Sequence, residues 1–305
     1  MAVLSIQSHV VYGYAGNTAA VFPLQRLGHE VWAINTVEFS NHTGYGSWRG
    51  KVLGAELAED IVAGLEERGV LGKCEAVLSG YLGDASVGKT VSQTVKKVKS
   101  KNSNALYCCD PVMGDTGRGF YVKEDIPDIF KKELVPLADI ICPNQFELEA
   151  LTGLNTENIE NAVKAINILH EMGPSVVLVT SFREKEGELS MLAGISSTER
   201  KELYKISTPE IPLGNNVAGT GDMTTAVFLS RYLETQDLKK TLELCTASVY
   251  GILKICHNKS LSGIKTADKE EEPSPLFELK IIEAQHELCS PSIFFKAEPV
   301  QNAKP

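Results

Sequence analysis

The chain has 305 residues, 43% of them hydrophobic, with 30 Lys and Arg against 39 Asp and Glu and a net charge of −9. Such a length buries a sizeable core without disulfide or metal staples, and such a composition excludes disorder over most of the chain. The acidic balance excludes the clustered positive charge that nucleic-acid backbones demand, but not small anionic ligands, which local backbone amides bind whatever the net charge.

In chain order, short apolar runs of β type alternate with helical patterns. Val3–Ile6 predicts the first strand, and a helix follows near 15–27. Val31–Val37 predicts a second strand and 56–68 a second helix. Ala76–Ser79 is followed by a helix at 86–100, and Ala105–Cys109 by one at 124–133. Ile140–Cys142 gives a fifth strand, 157–172 a helix, and Val176–Thr180 a sixth strand. Residues 188–213 read as one or two hairpin strands at an edge. Helices then follow near 220–234, 237–257 and 276–287. A charged, proline-bearing loop spans Lys265 to Pro275, and the tail after Lys296 reads as frayed. No internal repeat interrupts this order, so the expectation is one domain over 1–305. Alternating strands and helices imply an α/β fold: a central, mostly parallel sheet with helices on both faces. Strands buried on both faces are continuously apolar, as these are.

The N-terminal segment Met1-Ala-Val-Leu-Ser-Ile-Gln-Ser-His9 has no basic region and too short an apolar run for a secretion signal. No stretch approaches the roughly 18 apolar residues of a membrane helix. The seven cysteines are odd in number and include no CxxC pair, so they read as reduced thiols of a cytoplasmic protein.

In open α/β sheets ligands sit beyond the carboxyl ends of the strands. The polar residues at those ends are therefore the candidates. Ser8 follows the first strand, Asn41-His-Thr-Gly44 the second, and Gly80-Tyr81 the third. Asp110-Pro-Val-Met-Gly-Asp115 follows the fourth, Asn144 and Glu147 the fifth, and Thr180-Ser181 the sixth. Asp110 is the sharpest, because a carboxylate ending a dry strand is poised to hold Mg²⁺. Asn144 and Glu147 share one helix face; alternatively Asn144 simply caps that helix.

Two glycine motifs compete for phosphate. Gly83-Asp-Ala-Ser-Val-Gly-Lys-Thr90 matches the P-loop pattern GxxxxGK[ST], with a strand before it and a helical pattern after it. Its alternative is the first turns of a surface helix, with Lys89 a solvated charge. Gly219-Thr-Gly-Asp222 opens the helix near Met223, where backbone amides and the helix dipole favour an anion. Pattern alone leaves both open, and the P-loop match is formally the more specific.

Gly219-Thr-Gly-Asp222 resembles the anion-hole and catalytic-base signature of ribokinase-like small-molecule kinases, and further motifs narrow the resemblance to pyridoxal kinases. Ser5-Ile-Gln-Ser-His-Val10, Gly13-Tyr-Ala-Gly-Asn17, Phe22-Pro-Leu-Gln-Arg-Leu-Gly28 and Phe39-Ser-Asn-His-Thr-Gly-Tyr45 are similar to that family's N-terminal half. Cys109-Asp-Pro-Val-Met-Gly-Asp115, Leu137-Ala-Asp-Ile-Ile141, Pro143-Asn-Gln-Phe-Glu147 and Met172-Gly-Pro174 continue it in order, from about Val3 to Phe295. The nearest alternative is another ribokinase-like enzyme, such as a hydroxymethylpyrimidine kinase.

The resemblance implies a ribokinase-like fold and ATP-dependent phosphorylation of the 5′-hydroxyl of the B6 vitamers pyridoxal, pyridoxine and pyridoxamine. It also implies Mg²⁺, an activating monovalent cation (K⁺) and a homodimer. Ser8 and Thr43 fall where the ring's polar atoms are held, and Val37 and Tyr81 where the ring packs. Asp110 and Glu147 would serve Mg²⁺, with Asn144 nearby. Thr180 and Ser181 would approach the ATP phosphates, and Asp110, Cys142 and Thr180 the monovalent cation. Asp115 and Tyr121 lie on a loop, 114–122, expected to cover the phosphates. The amides of Gly219, Thr220 and Gly221 would stabilise the transferred group, and Asp222 matches the catalytic base, with its carboxylate held ionised by the helix dipole. Two residues depart from family patterns. Cys142 replaces a Thr common in animal enzymes, and Phe120 stands where some bacterial relatives carry a Cys. The family has no P-loop at 83–90, which makes that match a decoy.

Overall fold

The computed structural model describes residues 1–213, 217–264 and 278–300. Strand β1 (Ala2–Tyr12) leads into α1 (Asn17–Arg26) and β2 (Glu30–Asn41), then β3 (Gly50–Val52) and α2 (Gly54–Glu67). Next come β4 (Cys74–Ser79), α3 (Ala85–Lys101) and β5 (Leu106–Cys109), a small hairpin of β6 (Gly114–Asp115) and β7 (Gly119–Phe120), and α4 (Ile126–Ile129). Strand β8 (Ile140–Ile141), α5 (Gln145–Thr152), α6 (Ile159–Met172) and β9 (Val176–Phe182) complete the central repeat. The chain then forms β10 (Glu188–Ser196), β11 (Lys201–Pro209), α7 (Thr220–Thr235), α8 (Leu238–Ile264), α9 (His286–Cys289) and β12 (Glu298–Pro299).

The main sheet runs β12-β11-β10-β9-β8-β5-β4-β1-β2-β3. Its centre, from β2 to β9, is parallel. Both ends are antiparallel. Alternate strand residues feed two cores. Val3, Ala76, Leu78, Cys108 and Leu178 pack against α1, α7 and α8, while Leu4, Ile6, Val77, Tyr107 and Val179 pack against α2, α3 and α6. A strand with an apolar layer on each side has no place for alternating polarity, which is why these runs are legible in the sequence. The parallel connections carry the ends of β1, β4, β5, β8 and β9 to one rim.

Several expectations need correction. The helix expected at 124–133 is one α-turn, α4, followed by a π-turn at Phe130–Leu134 and a 3₁₀ turn at Val135–Leu137, where Pro136 cannot donate to a continuing α ladder. Of the helix expected at 276–287, the described part is turns and the short α9. The Lys280 amide there donates to Cys256 Sγ at 3.1 Å instead of returning within a helix. The tail after Lys296 is not frayed over its described residues. The Ala297 amide binds Glu243, and that of Val300 binds the Leu203 carbonyl, both within 3.0 Å, so β12 closes the sheet edge. The charged loop at 265–275 lies outside the described residues. Among the described residues, no helix is long and apolar enough to cross a membrane.

Candidate active site

One cavity of about 600 Å³ opens on the strand-end rim. Ser8, Val37, Thr43, Tyr81, Asp110, Asp115, Tyr121, Cys142, Asn144, Glu147, Thr180, Ser181, Gly219, Thr220, Gly221 and Asp222 all line it. Every residue that the resemblance assigns to the site is thus brought to the same space, whereas the P-loop match at 83–90 is not.

At one end of the cavity stand Ser8, Val37, Thr43 and Tyr81. Ser8 does not follow the first strand. It lies within β1, at a break in register where Gln7 pairs with Asn35 and His9 with Glu38. Val37 sits on the longer side of that bulge, fully buried, and the bulge turns both side chains toward the cavity. Gly16 follows, at φ +55°, because a Cβ there would collide with Ser8. Thr43 starts an exposed 3₁₀ turn, Thr43–Tyr45, and the Tyr81 carbonyl accepts a 2.7 Å bond from the Thr36 hydroxyl.

The middle of the cavity is acidic. Asp110, only 5% exposed, accepts a 3.1 Å hydrogen bond from the Thr225 hydroxyl. Burial pushes its carboxyl well above the usual range, and the neighbouring Glu147 and Asp222 push it further. Glu147, 3% exposed, is likewise raised by burial, against the pull of backbone amides at Asn144, Met113 and Gly114. Its two oxygens accept the Met113 and Asn144 amides at 2.9 Å, and its own amide returns a 2.9 Å bond to Asn144 Oδ1. This capping box shows that Asn144 both caps α5 and walls the site. Like carboxylates gathered in a dry place fit a divalent cation, whose charge removes their repulsion. Among the described residues no three His, Cys, Asp or Glu side chains form a metal cage by themselves.

Helix α7 begins here. Gly219 is its N-cap in the left-handed region, φ +81°, and the first amide to return within the helix is Met223 to the Gly219 carbonyl at 2.9 Å. The amides before it have no intrahelical acceptor, so they supply donors at the positive end of the helix dipole. Asp222 stands in that first turn. Its pKa is raised rather than held down as the dipole argument expects. Burial outweighs the amides of Gly16 and Asp222 itself. A basic carboxylate beside free amides is suited to take a proton next to a transferring anion.

Residues 114–122 form the β6–β7 hairpin rather than a plain loop. It carries Asp115, Arg118 and Tyr121 to the cavity, and Phe120 rests edge-on against Phe146 at 4.9 Å. Burial and four nearby carboxyls raise the Tyr121 hydroxyl. Ser181, the last but one residue of β9, has φ +57°, a conformation uncommon for a residue with a side chain and typical of strained functional rims. Cys142 is buried, its sulfur 4.0 Å from that of Cys108.

The P-loop match is not part of this site. From Ala85 its backbone is helix α3, Asp84 is the N-cap bonded to the Ser86 amide, and Gly88 is the seat of Ile129, where a Cβ would collide. Lys89 is exposed and outside the cavity lining. Sequence reading missed a mostly apolar wall made by Leu189 and Met191 of β10 and by Val249, Tyr250 and Leu253 of α8. The two-residue spacing in the strand and the near-four spacing in the helix were the available signals.

A parallel sheet whose rim joins an amide-rich helix start, a raised carboxyl and a buried acidic pair defines a phosphoryl-transferring small-molecule kinase of ribokinase-like fold. Residues 57–265 match the family model described as phosphomethylpyrimidine kinase. The chain is 45% identical to pyridoxal kinase PdxY of Rubrobacter xylanophilus over 302 residues, 98% of this chain and 97% of that protein. It is 44% identical to the PdxY of Granulibacter bethesdensis over 305 residues, 98% and 99% of the two chains. The structure superposes on pyridoxal kinase from Leishmania donovani in complex with ADP and pyridoxamine with a TM-score of 0.86, at 30% identity, covering 98% and 99% of the chains. The chain belongs to the pyridoxal kinase family and is an ATP-dependent kinase.

Proposed function

We propose that this chain transfers the γ-phosphoryl group of ATP to the 5′-hydroxyl of pyridoxal, pyridoxine and pyridoxamine, with Asp222 as general base. The observation that carries the reading is the convergence of Asp222, the unreturned amides at the start of α7 and the Asp110–Glu147 pair on one cavity. The ring binds between Val37 and Tyr81, with its polar atoms on Ser8 and Thr43. Asp222 accepts the hydroxyl proton as the oxygen bonds to phosphorus and the bond to the β-phosphate breaks, releasing ADP. The amides of Gly219, Thr220 and Gly221 hold the charge spread over the transferred group. Asp115 and Tyr121 cover the phosphates from the hairpin, Thr180 and Ser181 approach them from β9, and the apolar wall of β10 and α8 takes the adenine.

Asp110 and Glu147, with Asn144 nearby, would hold Mg²⁺. Glu147 already accepts two amides, so it would serve the ion with its remaining lone pairs, as suits an ion that keeps part of its hydration shell. When bound, Mg²⁺ supplies charge neutralisation on the phosphates. A monovalent cation, K⁺, would be held along the Asp110, Cys142 and Thr180 stretch of the rim, where backbone oxygens would have to replace the hydroxyl that Cys142 lacks.

One domain spans the chain in this reading, since the cavity draws residues from Ser8 to Leu253. All seven cysteines are unpaired, six of them buried, which supports a reducing compartment such as the cytoplasm. A homodimer completes the proposal. Exposed Val11, Tyr12, Trp48 and Val52 near edge strand β3 offer apolar area for it, and mass in solution tests it.

The deciding experiment is detection of pyridoxal 5′-phosphate formed from ATP and pyridoxal, beside a panel of other alcohols. The description of the matching family model makes hydroxymethylpyrimidine the necessary rival acceptor. Faster turnover of that pyrimidine than of any B6 vitamer overturns the assignment.

A further inference from the structure

Glu278, from the far end of the chain, stands behind His42, which lines the cavity beside Thr43. Its carboxylate is 11% exposed. Oε1 accepts the Tyr45 hydroxyl at 2.7 Å and lies 3.0 Å from His42 Nε2, while Oε2 accepts the Tyr14 amide at 3.0 Å. Gly13 packs directly on it, leaving no room for a Cβ. These donors hold the carboxyl below its usual range although burial opposes them. His42 is 6% exposed and lines the cavity, and its other ring nitrogen, Nδ1, is buried beside Gly44 without a partner among the described residues. The imidazole is therefore oriented by its one hydrogen bond to Glu278 and by the Tyr45 ring, 4.7 Å away, which the same carboxylate holds. The turn Thr43–Tyr45 has two backbone ties of its own, Tyr45 amide to His42 carbonyl at 3.3 Å and Gly46 amide to Thr43 carbonyl at 3.0 Å, and the Tyr45–Glu278 bond anchors it to the loop after β1.

We propose that Glu278 is a positioning residue for acceptor recognition. One carboxylate joins two segments that are distant in sequence, the loop at Gly13–Tyr14 and the turn at His42–Tyr45, and fixes the shape that admits the vitamer ring. Among the described residues its hydrogen bonds go to neither the acidic pair nor the apolar wall of β10 and α8, so its effect falls on the acceptor and not on ATP. The inference rests on Ser8 and Thr43 marking the acceptor end of the cavity.

The test is steady-state kinetics of full-length Glu278→Ala and Glu278→Gln, with Ser8→Ala as an independent probe of that end. Glu278→Ala is expected to raise the KM for pyridoxal about tenfold or more, the worth of hydrogen bonds to a charged group. The kcat and the KM for ATP should stay within about threefold, the split that marks lost ground-state binding. Glu278→Gln keeps the size and one carbonyl acceptor, and is expected to recover part of the loss. If Ser8→Ala raises the pyridoxal KM but folded Glu278→Ala does not, the inference falls and the site reading stands. If neither moves it, the acceptor-end reading falls and takes the inference with it. A loss shared equally by ATP and pyridoxal, or confined to kcat, marks a merely structural role and also overturns the proposal. Should Glu278→Ala not fold, Tyr45→Phe removes one bond to the same oxygen. A rise of about threefold in the pyridoxal KM alone is then expected, and no rise overturns the proposal.

Discussion

The carbonyl oxygen of Tyr14 occupies the space that a Cβ on Gly219 would need. This contact sets the N-terminus of α7 against the loop that follows β1. It also explains why the residue before the amide-rich turn is a glycine twice over, once for its φ of +81° and once for the backbone it abuts. Gly219→Ala must displace either Tyr14 or the first turn of α7. Stability should fall by about 1–3 kcal/mol, the cost of forcing a side chain into this conformation. The kcat should fall by about 10²–10³, as when an oxyanion donor is lost. Urea unfolding and initial rates measure the two separately, and a stable, fully active Gly219→Ala protein refutes the placement of the anion site.

Asp110 illustrates a conflict between stability and chemistry. Its pKa is raised by burial and by Glu147 and Asp222. A carboxyl whose folded pKa exceeds its unfolded value contributes stability below the unfolded pKa, and that contribution is lost as pH rises through the folded pKa. Metal-free protein should therefore lose stability from about pH 4 upward, the ordinary carboxylate range, and Mg²⁺ with nucleotide should restore more of it as pH rises. Asp110→Asn removes the uncompensated charge and still accepts from Thr225. It should stabilise metal-free protein at neutral pH, while losing nearly all turnover. Thermal unfolding across pH with and without Mg²⁺–ATP reads both effects, and a destabilised Asn variant at neutral pH counts against the charge argument.

Lys89 lies on the exposed face of α3, outside the cavity. Lys89→Ala should leave pyridoxal phosphorylation within about threefold of the parent, as surface substitutions away from special contacts do. A collapse of kcat in the folded variant would revive the P-loop reading.

The strands were legible because apolar layers on both faces leave unbroken runs, and the rim was legible because polar residues end those runs. Where the sequence misled, a tertiary contact decides. A literal P-loop pattern is helix from Ala85 because Asp84 caps it and Gly88 seats Ile129. The dipole argument for an ordinary Asp222 fails because burial there is the larger effect. Edge strand β3 is three exposed residues with no apolar run to announce it. Glu278 meets His42 across 236 positions, and no local pattern marks such a pair.

The Asp110, Cys142 and Thr180 stretch of the rim supports a requirement for a monovalent cation beside Mg²⁺. Initial rates in a bulky organic-cation buffer should rise when K⁺ is added, and Cys142→Thr should keep or strengthen that response by adding an oxygen. Equal rates with and without K⁺ count against the site.

In the proposed reaction Asp222 is the general base. Its carboxyl is raised by burial, with the amides of Gly16 and of Asp222 itself pulling the other way. A base must be unprotonated to work, so activity should climb as pH rises through its folded pKa, and that acid limb should lie above the ordinary carboxylate range near 4. Asn at this position keeps the size and the ability to accept from both amides but takes no proton. Asp222→Asn should therefore fold normally and bind ATP and pyridoxal with KM values near those of the parent. Its kcat should fall by about 10²–10⁴, the usual worth of a positioned base, and the acid limb should disappear from the residual activity. A loss expressed mainly in the pyridoxal KM would mean that Asp222 only orients the hydroxyl. A kcat close to the parent's would remove Asp222 from the chemistry and with it the reading of the α7 N-terminus as the catalytic centre.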